Sequence, residues 1–276
     1  FAGNGENIEI SGNAKVTAKG NDFETGIGGG QHGSGSNITI TGNSIVDATG
    51  IGGGWSRNGE NITISGSARV NTTGHDGAAG IGGGEQGNAT NITISDHAIV
   101  TAIGNNGAAG IGGGKEYADG HGGNGTDIKI YDDAKVIATG GEHGAGIGGG
   151  ENGNATNITI SDHATVNAKG GENGAGIGGG VHGSGSNITI SGNAIVNAKS
   201  GNYAAGIGNG WKGKNSSITI SGNSTIEVTS SEYGVGGVGI GGGCYDYDED
   251  LSNEITITGG TITTLNCRPF SNRPDL

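Results

Sequence analysis

Methionine is missing from this chain, proline and cysteine occur twice each, and Lys and Arg together number only 13 in 276 residues. Each scarcity closes off a class of reading. Against 26 Asp and Glu those 13 bases leave a formal net charge of −13. That balance argues against a polyanionic partner such as nucleic acid, whose binding depends on Lys and Arg neutralising phosphates. No apolar run is long enough to span a bilayer, no stretch has the make-up of a signal peptide, and no segment shows the 3.6-residue period of an amphipathic helix. The start at Phe1 suits a trimmed mature protein or an excised fragment. Cys244 and Cys267 lie about one repeat apart near the C-terminus. Their spacing is compatible with a disulfide fastening the last coil to the tail, and equally with two separate thiols.

What the chain has in excess is glycine, 67 of 276 residues. Without a period that level reads as low-complexity disorder. Here the glycines recur in register as GIGGG inside a repeated unit typified by residues 157–186, NITISDHATVNAKGGENGAGIGGGVHGSGS. Copies begin at Asn7, Asn37, Asn61, Asn91, Asp127, Asn157, Asn187 and Ser217, and a broken copy begins near Asn253; successive starts differ by 30, 24, 30, 36, 30, 30 and 30 residues. A fixed period in this range marks a solenoid, in which a unit buries its apolar side only against its neighbours. The expected fold is all-β: a single-domain parallel β-helix (β-solenoid) of about eight coils with three short strands per coil. Residues 253–276 read as a C-terminal partial coil and cap, and residues 1–6 as the end of a preceding unit.

Within a copy, NITIS and AIVNAK alternate apolar and polar residues with the period of two that defines strands. The Gly-Asn turn between them tolerates left-handed backbone angles. The third segment, AGIGGG, offers one isoleucine per coil, and its glycines imply backbone packed close to something, expected to be the opposite wall of a narrow interior. Length varies in the connections: coil two lacks six residues before Gly52, and coil four gains six within residues 115–126. The first coil has no polar capping element, so its edge is expected to be covered by more of a parent protein or by another subunit, or else to fray in solvent.

Strand–turn–strand copies with an Ile/Val/Ala interior resemble the right-handed parallel β-helix (pectin-lyase-like) repeats of bacterial extracellular proteins. The NITISGNA…AGIGGG units are similar to glycine-rich repeats of surface proteins in gut-type Gram-positive bacteria. The resemblance implies an extracellular or cell-surface protein of bacterial origin. It covers polysaccharide lyases, glycosidases, adhesins and phage tailspikes alike, so it implies an architecture more than an activity. The many Asn-x-Ser/Thr sequons belong to the repeat consensus and do not read as glycan sites.

Candidate chemistry lies where the consensus breaks. Coils four, five and six replace the Gly-Asn turn by Asp96-His97, Asp132-Asp133 and Asp162-His163, which in register form the columns Asp96/Asp132/Asp162 and His97/Asp133/His163. Stacked carboxylates need water, a cation or a raised pKa, and Asp96, Asp132 and Asp162 are the candidate ligands for Ca²⁺, the one cofactor entertained. Were the chain an enzyme, Asp96, Asp132, Asp133 and Asp162 would be the catalytic carboxylates of a glycoside hydrolase or polysaccharide lyase. Coil five also carries Lys129 and Tyr131 in place of Thr/Ser, after an enlarged loop containing Tyr117, Asp119 and His121. Asp and Asn also simply suit such turns. Asp127 closes a solitary GGNGTD, a chance match to a calcium nonapeptide that needs stacked copies to work. The remaining histidines, His32, His75, His143 and His182, offer no convergent zinc set.

Trp55 and Trp211 each follow the GIGGG-type segment, five coils or about 24 Å apart. They read either as flat platforms for sugar rings or as indoles packed on glycine. With Tyr117, Lys129, Tyr131, His97 and His163 they complete the ligand-binding candidates. Thr39/Thr41 and its counterparts form a hydroxyl grid similar to ice-binding faces, interrupted at Glu9, Lys129 and Tyr131. The leading expectation is a non-enzymatic structural or adhesive rod, stacked within a longer surface protein or end to end with itself. A polysaccharide-binding or polysaccharide-cleaving module and an ice-binding protein are the alternatives.

Overall fold

The computed structural model describes residues 3–118, 120–229, 237–244, 253–265 and 268–271, the last four for their backbone alone. Three parallel sheets run side by side along the chain, each of nine strands among the described residues. The first sheet is made of strands such as Gly35–Ile40, Gly59–Ile64 and Ala155–Ile160. The second holds Ile45–Thr49, Arg69–Thr73 and their successors. The third is built from two-residue Ile-Gly strands such as Ile147–Gly148 and Ile177–Gly178. Every strand pairs with its counterpart one coil away, and register survives both irregularities of period: Ile38 faces Ile62 across the short coil, and Ile92 faces Ile128 across the long one. The all-β parallel β-helix expected from the repeat is therefore the observed architecture.

The interior is a set of like-on-like columns. Ile38, Ile62, Ile92, Ile128, Ile158 and Ile188 form one, and Ile51, Ile81, Ile111, Ile147, Ile177 and Ile207 form another; all are essentially inaccessible to water. At the first rung Ile8, Ile10, Val16 and Ala18 pack on this core but stay partly exposed.

Four details differ from the sequence reading. First-sheet strands begin two residues before the repeat's Asn, which sits inside the strand at a left-handed angle (Asn37 φ 53°, Asn157 φ 58°). Asn tolerates that angle better than other side-chain-bearing residues, and its amide extends a ladder along the rod: Asn61 donates to Asn37 at 3.0 Å, Asn91 to Asn61 at 2.8 Å and Asn187 to Asn157 at 2.7 Å. The glycines, secondly, are crowded mainly by neighbouring coils. A Cβ on Gly178 (φ 138°) would overlap the carbonyl of Gly208 on the next rung, whereas Gly35 meets Gly52 on the opposite wall as expected. Thirdly, Glu254–Ile257, Thr261–Leu265 and Arg268–Ser271 add a ninth strand to each of the three sheets, so the coil expected to be partial carries a strand in all three. Lastly, Cys244 is half-buried, while Asp119, Cys267 and the tail after 271 lie outside the described residues.

Candidate functional site

The Asp/His columns form as the repeat requires. Asp96, Asp132 and Asp162 take the left-handed angle (φ 56–57°) that Gly holds in other coils. Their carboxylates, however, turn onto the backbone of the preceding rung. Asp96 Oδ2 accepts from Gly66 N–H at 2.8 Å, Asp132 Oδ2 from Asp96 N–H at 3.2 Å, and Asp162 Oδ2 from Asp132 N–H at 3.5 Å. In the outer column His97 Nε2 lies 3.5 Å from Asp133 Oδ2, both well exposed, and Asn193 Nδ2 approaches His163 Nε2 at 3.2 Å. These side chains tie rungs together, so the acid-rich turns act as inter-coil caps. Among the described residues no group of three or more His, Cys, Asp or Glu side chains is placed to hold a metal, and the Asp96/Asp132/Asp162 set is not assembled as a Ca²⁺ cage.

Lys129 stands on the first-sheet strand Gly125–Ile130 of coil five and Tyr131 directly follows it, and Tyr117 does not join them. The long loop folds back toward earlier coils, held by Gln86 N–H on Lys115 O (2.7 Å) and Gln86 Nε2 on Tyr117 O (3.3 Å). Tyr117 thereby meets Trp55, edge to face, with ring centroids 6.3 Å apart at 89°. The short coil prepares the other half of this contact. In coil two the second-sheet strand Ile45–Thr49 passes through Gly50 directly into Ile51–Gly52, where coil three uses residues 74–80. Gly50 is left between the side chain of Thr25 and the carbonyl of Ala79, from the loops on either side.

Around the missing loop gather Phe23 and His32 from coil one, their rings 5.6 and 4.6 Å from that of Trp55. Trp55 Nε1 donates to buried Glu85, which also pairs with Lys115 at 3.6 Å. Phe23 and Tyr117 remain 43% and 53% exposed. The deletion and the insertion, read separately in the sequence, thus converge on one aromatic cluster.

Trp211 occupies the same repeat position toward the C-terminal end and gathers its own partners: Tyr203 at 5.7 Å, His182 at 6.0 Å, and Lys212, whose Nζ lies 4.7 Å over the indole. Partial burial first, and the Lys212 charge second, hold His182 below its ordinary pKa. Neither indole is a bare platform.

Two features escaped the sequence. His75, in the loop facing the gap, is buried with Nε2 lacking a partner, and that burial pulls its pKa down. A groove of about 550 Å³ also runs between the second sheet and its loops, with Lys169 and Lys199 on one side and Glu142 and Glu172 on the other. The in-register Lys pair was visible in the repeats; the concavity was not.

Six segments, residues 8–31, 62–85, 92–115, 128–151, 158–181 and 188–211, match the family model described as a beta helix repeat, together just over half of the chain. No curated protein and no solved structure matches.

Proposed function

The chain belongs to the beta helix repeat family, wound as a right-handed parallel β-helix, and from that premise we propose that its work is mechanical and adhesive. On this reading it is a stiff rod of an extracellular or cell-surface protein that holds its loops at fixed spacing for contact with other surfaces. The observation that carries the proposal is the investment of surface side chains in rigidity. Asn and Asp ladders link successive rungs outside the core, in addition to the isoleucine columns inside it. Such columns restrict bending at every coil, whereas a catalytic centre needs groups converging on one point. The extracellular setting rests on the resemblance of the repeats to those of bacterial surface proteins.

The partner in this proposal is another rung. Ile8 and Ile10 are partly exposed where Ile38 and Ile40 are fully covered, so a further coil laid on the first edge, from a longer chain or a second copy, would complete the burial. The ice-binding alternative has less support because Glu9, Lys129 and Tyr131 interrupt the hydroxyl face. The polysaccharide-cleaving alternative has less because Asp96, Asp132 and Asp162, three of its four candidate carboxylates, cap backbone N–H groups. Electron microscopy and light scattering over a concentration series test the proposal. Straight rods that associate end to end, with association blocked by Ile8→Lys, are expected. Compact particles indifferent to that change, or release of reducing ends from polysaccharide lost in Asp132→Ala, would overturn it.

A further inference from the structure

The two aromatic clusters share one design and differ in two components. In each, a Trp follows the GIGGG-type segment (Trp55, Trp211), a His from the preceding coil lies against it (His32, His182), and another ring leans in from a loop (Phe23, Tyr203). The residue after each Trp has the same left-handed backbone, φ 57° at Ser56 and 60° at Lys212. At the C-terminal cluster that residue supplies an ammonium over the indole. At the N-terminal cluster Ser56 supplies none, and its hydroxyl turns to Gln86 at 3.3 Å. Tyr117 adds a further ring there, nearly perpendicular to the indole.

We propose that the cluster of Phe23, His32, Trp55 and Tyr117 binds an ammonium group from outside the chain, in the role that Lys212 plays at Trp211. Several features favour a cation over a neutral sugar or an apolar peptide. Ring faces attract cations through their quadrupole, and angled rings strengthen the effect by presenting more than one face. Trp55 Nε1–H is already committed to Glu85, which leaves the ring face as its means of recognition. Of the nearby bases, Lys115 is paired with the same carboxylate and Arg57 donates its Nε–H to the His32 carbonyl at 2.9 Å, while Asp22 and Glu24 flank Phe23 in a chain of net charge −13. An extended peptide would have to bury backbone groups beside loops whose own donors are taken, such as Trp55 N–H on Phe23 O and Gln86 N–H on Lys115 O.

The full chain has two tryptophans, so its indole N–H spectrum has two resonances and an internal control. Choline and Nα-acetyllysine amide are titrated beside their uncharged counterparts, 3,3-dimethylbutanol and Nα-acetylnorleucine amide. A cation should shift the Trp55 resonance saturably and bind about tenfold tighter than its neutral counterpart. Which of the two cations binds better identifies a methylated or a primary ammonium as the natural head group. Trp211, already covered, should respond only in Lys212→Asn. Tyr117→Ala, at an exposed position, should weaken binding about fivefold with the fold intact. Ser56→Lys, which copies the C-terminal arrangement, should abolish it. Equal binding of a cation and its neutral counterpart would overturn the proposal, as would a Trp55 response to cellohexaose without one to either cation, or no response to any probe. None of these outcomes bears on the rod reading, which scattering tests separately.

Discussion

Replacing Gly178 with alanine tests why this chain carries so much glycine. Gly178 ends a two-residue strand of the third sheet at φ 138°, and a Cβ there would overlap the carbonyl of Gly208 on the next rung. Forcing alanine into that backbone region costs about 1–3 kcal/mol. Relieving the overlap means separating the rungs, at the expense of the flanking bonds from Ile177 N–H to Gly206 O (3.0 Å) and from Gly179 N–H to Gly208 O (3.0 Å). Each is worth about 1 kcal/mol, so the total is about 3–5 kcal/mol. Urea unfolding followed by far-UV circular dichroism measures the loss. Hydrogen exchange should place it at coils six and seven, because a solenoid opens locally between neighbours. Gly12→Asn is the control: φ is 68° and nothing lies within 4 Å of the added carbon, so its cost should stay below about 1 kcal/mol. A Gly178→Ala cost no larger than that of the control would refute the claim that inter-coil contact dictates glycine.

Three further perturbations probe the outer columns and the buried histidine. Asp127 replaces the ladder Asn, accepting from Asn157 at 2.9 Å with no amide to offer Asn91, so Asp127→Asn should stabilise by about 0.5–1.5 kcal/mol in urea melts; an unchanged midpoint would show the ladder to be passive. Asp132→Ala should cost about 1–2 kcal/mol, from left-handed strain and the lost bond to Asp96 N–H, whereas Asp132→Gly, which restores the commoner turn residue, should cost less. Equal losses in the two would mean that the carboxylate's cap is the whole effect. His75 has a folded pKa below its ordinary 6.5, chiefly through burial. The unfolded chain therefore binds a proton that the folded one refuses: stability is full above about pH 6.5 and falls as pH drops through the window toward the folded pKa. His75→Asn, matching Asn105 one coil on, should flatten the melting temperature between pH 7.5 and 5.5, and an unaltered slope would assign the effect elsewhere.

Much of the fold was legible because a solenoid writes its register into its period. Ile38, Ile62 and Ile92 occupy one repeat position, so they stack whatever the loops do. The same logic foresaw the Asp96/Asp132/Asp162 column but not its purpose, since the spacing of carboxylates says nothing about which backbone N–H lies beneath. Asn37 and its counterparts were read as strand starts because alternation cannot reveal a left-handed residue inside a strand. The aromatic cluster was hardest to see. Trp55 and Tyr117 lie 62 positions apart, and their meeting depends on a loop removed from one coil and a loop folded backward from another, neither of which a period records.

The central claim is that successive repeats are successive rungs, each displaced along one axis by the spacing of parallel strands. Spin labels on the outer first-sheet positions test it most directly, pairing Thr63 in turn with Thr159, Thr189 and Thr219, which register places three, four and five rungs away. Pulsed electron–electron resonance should give backbone separations of about 14, 19 and 24 Å, a constant step near 4.8 Å. Distances that fail to grow by that step with each added repeat would contradict the stacked helix and every column inferred from it.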